Sequence, residues 1–60
     1  MSYQVKVYNR SNAYLVQESE LFNSINKANE YFVSVGSGEG YWAELLVVLP
    51  EYTITRHTTL

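Results

Sequence analysis

Gly36-Ser37-Gly38-Glu39-Gly40-Tyr41-Trp42-Ala43-Glu44-Leu45-Leu46-Val47-Val48-Leu49 contains all three glycines of the chain and its longest apolar run. The glycines divide a helical pattern from a strand pattern. Before them, Ile25, Ala28, Phe32 and Val35 recur at spacings of three, four and three, one apolar stripe over three helical turns. Asn26, Lys27, Asn29, Glu30 and Ser34 cover the other side. Ser24 is the expected N-cap, with Asn23 the alternative. Gly36 stands where a left-handed residue closes a helix, so the spacing predicts a helix over 25–35. After the glycines, residues 41–49 alternate: Tyr41, Ala43, Leu45, Val47 and Leu49 form one row, Trp42, Glu44, Leu46 and Val48 the other.

Toward the N-terminus, Tyr3, Val5 and Val7 alternate with Gln4, Lys6 and Tyr8, the pattern of a half-buried strand. Asn9-Arg10-Ser11-Asn12 is a turn by composition. Residues 13–18 follow as an antiparallel partner, with Ala13, Leu15 and Gln17 pointing one way and Tyr14, Val16 and Glu18 the other. Toward the C-terminus, Pro50-Glu51 reverses the chain. Residues 52–58 form the last strand, Tyr52, Ile54 and Arg56 against Thr53, Thr55, His57 and Thr59. The order is β-β-α-β-β. It predicts an α+β fold in one domain of residues 1–60: a four-stranded antiparallel sheet with one helix packed on one face.

A single helix covers a single face. The third strand is apolar on both, so Trp42, Leu46 and Val48 are expected to face outward near Tyr8 or Tyr14, and these residues are the predicted interaction surface. Sixty residues bury only about 60% of their unfolded surface. The chain has no cysteine or aspartate and one histidine, so disulfides and a single-chain metal cluster are not expected as braces. Association is the remaining reinforcement, and a homodimer is expected. The net charge of -2, with Lys6, Arg10, Lys27 and Arg56 scattered, argues against duplex nucleic acid as a partner. No apolar run is long enough for a bilayer and no leader is visible at the start, so a cytoplasmic protein is expected, in the host cytoplasm if the gene is viral.

The glycine stretch is neither a Walker loop nor a dinucleotide fingerprint. Its amides can still form a nest for a phosphate, with Gly38 and Gly40 nearest, Tyr41 and Trp42 stacking on a base, and Arg10 or Arg56 from either subunit as counter-charge. The competing role is a helix cap and connector. His57 sits among threonines as a surface residue. A general base needs a nucleophile and an orienting carboxylate, and only Ser37 and Glu39 offer themselves, at no favourable spacing. No catalytic residue, cofactor or metal is therefore expected.

Tyr3-x-Val5-x-Val7-Tyr8, Tyr14-Leu15-Val16, Phe22-Asn23-Ser24-x-x-x-Ala28-x-x-Tyr31-Phe32 and Tyr41-Trp42-Ala43-Glu44-Leu45 together resemble small β-β-α-β proteins encoded by bacteriophages. The resemblance spans most of the chain and is one of pattern, so no functional residue is carried over. It implies a non-enzymatic inhibitor of host machinery. One form is a homo-oligomeric sponge that sequesters a nucleotide-derived defence signal. The other binds a host protein through the exposed sheet face.

Overall fold

The computed structural model describes residues 1–36 and 38–59. The elements follow the expected order: β1 (Ser2–Asn9), β2 (Leu15–Glu18), α1 (Ile25–Gly36), β3 (Tyr41–Val48) and β4 (Thr53–Thr58). They form one antiparallel sheet in the order β2-β1-β3-β4. The central pair, β1 and β3, runs in unbroken register from Ser2↔Val48 to Asn9↔Tyr41. Two hairpins thus lie side by side, and α1 crosses back over the seam between them.

The core forms under that crossing. Val5, Val7, Ala43 and Leu45 from the sheet meet Ala28 and Phe32 of α1, with Tyr3, Phe22, Ile25, Tyr31 and Val35 packed around them. Ala28 and Ala43 are fully buried. Their small side chains let the helix settle close to the sheet, while Phe32 fills the space beside them. Because α1 packs on the two central strands, every residue of β2 and β4 stays exposed.

The helix runs one residue further than its expected stop. Gly36 is its last residue and is not left-handed; the positive φ falls on Gly40, at 81°. Gly36 is needed for space instead: a Cβ there would lie 2.7 Å from the Thr59 methyl carbon. Thr59 is held in place by Ala43, whose N–H donates to Thr59 Oγ1 at 2.8 Å and whose carbonyl accepts the Thr59 N–H at 3.0 Å. Gly40 turns the chain into β3, and its carbonyl accepts the Arg10 N–H at 2.8 Å.

Both outer strands depart from simple alternation. β2 is shorter than the expected 13–18, because Ala13 takes a φ of 62° in the hairpin loop and Asn12 Oδ1 accepts the Tyr14 N–H at 3.0 Å. Val16 is then skipped in the pairing, with Leu15 opposite Tyr8 and Gln17 opposite Val7. This bulge puts Leu15 and Glu18 on the outer face, where alternation alone separates them. In β4 the skipped residue is Arg56: Thr55 pairs with Leu46 and His57 with Leu45. His57 and Thr59 therefore turn to the helix side, and Thr53, Thr55 and Thr58 stay outside. Bulges of this kind are frequent on the edge strands of sheets.

Ser19 extends the hairpin past the end of β2. Its N–H donates to the Val5 carbonyl at 2.8 Å, and its Oγ accepts the Val5 N–H at 2.9 Å. Phe22 then exchanges both backbone hydrogen bonds with Tyr3, which delivers the chain to the start of α1.

A left-handed backbone costs an L-residue with a Cβ about 1–2 kcal/mol. Ala13→Gly removes that cost and returns part of it as unfolded-chain entropy. The expected result is a net gain of roughly 0.5–1 kcal/mol, seen in calorimetry as a melting temperature higher by a few degrees.

Candidate functional site

Two surfaces carry the residues singled out in the sequence. The first is a shallow, open depression of ≈ 520 Å³ where the β1–β2 loop meets the turn into β3, lined by Asn9, Arg10, Ser11, Glu39, Gly40 and Tyr41. Three of the expected ligand-binding residues, Arg10, Gly40 and Tyr41, come together here. Gly38 lies next to them, its α-carbon facing the Tyr41 ring. The loop's own polar groups are largely engaged: Asn9 Oδ1 accepts the Ser11 N–H at 2.9 Å and the Ser11 hydroxyl at 2.6 Å. Arg10 has no ion-pair partner among the described residues.

The other two expected contributors are elsewhere. Trp42 follows Tyr41 on β3, so the two rings leave opposite faces of the sheet and cannot clamp one base within a chain. Arg56 stands opposite the Leu45–Leu46 step of β3, while Arg10 bonds Gly40 beyond the far end of that strand. At about 3.3 Å per residue, five residues of strand separate them by roughly 16 Å. Glu39, inside the depression, adds a charge of the wrong sign for a phosphate.

The second surface is the outer face of the sheet. Tyr8 and Trp42 are paired across β1 and β3, with ring centroids 4.3 Å apart and planes 20° from parallel. The Tyr8 hydroxyl donates to Glu44 Oε1 at 3.0 Å, and the Thr55 hydroxyl donates to Glu44 Oε2 at 2.7 Å. One carboxylate thus ties three strands together. Lys6 Nζ lies 3.9 Å from Glu18 Oε2 on the β2 side.

The face is less open than a purely apolar row implies. Leu46 is only 6% exposed within the single chain, although it lies on the side away from α1. It stands between Gln4 and Thr55 in the register, so it serves as a small core of this face more than as free surface. Trp42, Val48 and Tyr8 are half-buried. Tyr14 lies in the hairpin loop and is 73% exposed. Its carbonyl accepts the Asn9 N–H at 2.8 Å, which gives it the helix-side parity of Asn9 and takes it away from Tyr8 and Trp42.

His57 is exposed, its ring tilted against Phe32 at 6.4 Å. Ser37, its conceivable nucleophile, lies outside the described residues. Among the described residues no cluster of three acidic, histidine or cysteine side chains could hold a metal ion, and no helix is long and apolar enough to cross a membrane.

Burial pushes the Tyr8 phenol above its ordinary value of 10.0, and the hydrogen bond to Glu44 and the charges of Glu44 and Glu18 add to the shift. Folding therefore favours neutral Tyr8. Its contribution to stability is complete below pH 10.0 and is lost as pH rises through the raised value. An ultraviolet titration of the tyrosines is expected to show a component above pH 10.0 that disappears in Tyr8→Phe.

The Tyr8–Trp42 stack and the forked Glu44 were not read from the sequence. Both depend on the β1–β3 register, which pairs residues far apart in the chain. The available signal was a lone carboxylate, Glu44, in the outward row of an otherwise apolar strand. No protein-family model matches the chain, and no curated protein or solved structure matches it at significant similarity.

Proposed function

We propose that the chain is a non-enzymatic binding protein that meets a protein partner through the outer face of its sheet, as a small phage-encoded inhibitor would occupy a surface of host machinery. The preordered face supports this most: Tyr8 lies on Trp42, and Glu44 is held at both oxygens. Side chains fixed before binding lose little entropy on binding, and Tyr and Trp are frequent anchors of interfaces. The chain exposes 4133 Å², so one partner's share of a standard interface, about 800 Å², fits on one face. Self-association is proposed for the edges instead. Val16 and Ile54 are exposed there, and a homodimer built by strand pairing on either edge leaves the outer face free.

Affinity capture from a bacterial lysate tests the face, with wild type, Thr53→Glu and Asn29→Glu as baits. Thr53 is exposed on the outer face and Asn29 on the far side of α1. Loss of the captured protein with Thr53→Glu and its retention with Asn29→Glu is the expected pattern. Equal recovery by both variants, or loss with Asn29→Glu alone, contradicts the proposal.

A second reading is favoured by the depression that unites Arg10, Gly40 and Tyr41. It would take a nucleotide-derived ligand, phosphate toward Arg10 and base on Tyr41, without Trp42 or Arg56. Calorimetric titration with ADP-ribose derivatives and cyclic dinucleotides decides it. Heat that vanishes in Arg10→Ala supports the sponge form; no heat across the set removes it.

A further inference from the structure

Charge on the outer face is left unbalanced at Glu44. Glu18, Lys6 and Glu44 stand in register on β2, β1 and β3. The one ammonium ion-pairs with Glu18 at 3.9 Å, so the row has two carboxylates for one cation. Among the described residues Glu44 accepts hydrogen bonds from two neutral donors, Tyr8 at 3.0 Å and Thr55 at 2.7 Å, one on each oxygen. A carboxylate oxygen has two acceptor sites, so each oxygen keeps one to offer, and the two bonds fix the direction of the group. Two residues back along the same face is Trp42, half-buried, with one side of its ring taken by Tyr8.

We infer that this place receives an arginine side chain from the protein partner, its guanidinium paired with Glu44 and lying against Trp42. The inference rests on the outer-face reading above. A guanidinium is a planar fork that can bond both oxygens of a carboxylate and is a cation that stacks on an indole. A lysine ammonium is a compact, strongly hydrated charge and does neither as well. A second copy of this chain laid face to face would bring another row with the same excess of carboxylate, so the charge favours a basic partner over self-pairing here.

Trp42 is the only tryptophan, so its fluorescence reports the place directly. The probes are blocked tri-arginine and tri-lysine peptides at low salt, against wild type, Glu44→Gln and Lys6→Gln, each checked for wild-type circular dichroism. Tri-arginine is expected to give a saturable change, weakened roughly tenfold or more in Glu44→Gln and strengthened in Lys6→Gln, with a clearly weaker response to tri-lysine. Equal responses to the two peptides, an unchanged response in folded Glu44→Gln, or no response overturns the arginine assignment. The two proposals fail separately: a silent peptide titration with Thr53-dependent capture leaves the outer face standing, whereas Thr53-independent capture removes the face itself.

Discussion

Leu45→Ala is expected to remove a large share of the chain's folding free energy. Leu45 is 1% exposed and sits between Val5, Val7, Phe32 and Ala43 in the core under α1. Removing a buried leucine side chain costs about 2–5 kcal/mol, since transfer energy is lost and a cavity remains. At about 0.05–0.15 kcal/mol per residue, a sixty-residue domain has only about 3–9 kcal/mol to lose. Urea titration followed by circular dichroism measures the loss. A cooperative transition displaced by less than about 1 kcal/mol would mean that α1 does not cover this strand as described.

The second large effect is on binding. Trp42→Ala is expected to weaken the captured partner by at least about 2 kcal/mol, roughly thirtyfold in dissociation constant. The side chain offers the largest ring of the outer face, and it is already stacked on Tyr8 at 4.3 Å, so little ordering cost offsets its contact. Trp42 lies outside the core cluster under α1, so the variant should remain folded. Surface plasmon resonance with the partner captured by wild type gives the number, and the melting temperature of the variant provides the control. An unchanged dissociation constant in a folded variant would remove Trp42 from the interface.

The elements themselves were legible because their periods are local. The stripe Ile25, Ala28, Phe32, Val35 needs only helical geometry, and Tyr3, Val5, Val7 needs only the pleat. The bulges at Val16 and Arg56 were not, because a skipped residue is defined by its partner strand. Arg56 is the instructive case: one skipped position moves His57 and Thr59 from the outer row to the helix side. The glycines misled in a related way. Gly36 has the right place for a left-handed cap, yet its constraint is the Thr59 methyl group, brought there by the other end of the chain. The left-handed demand falls on Gly40. Ser19, one residue past the expected strand 13–18, closes on Val5 through a contact that no local pattern encodes.

The candidate site was partly legible. Arg10, Gly40 and Tyr41 do share a depression. The separation of Tyr41 from Trp42 was readable from strand alternation itself, since neighbours on a strand point apart. The outward row was read correctly in direction but not in character. Its middle is closed by Leu46 and its charge is organised by Glu44, through contacts with Tyr8 and Thr55 that no local pattern encodes.

Side-chain resonances report most directly which face of the sheet the partner covers. With the methyl groups and the indole labelled, addition of the captured partner is expected to shift Trp42, Leu46, Val48 and Thr55 on the outer face and to leave Ile25, Val33 and Val35 of α1 unmoved. Shifts confined to α1, with Trp42 and Thr55 unchanged, would contradict the outer face as the binding surface.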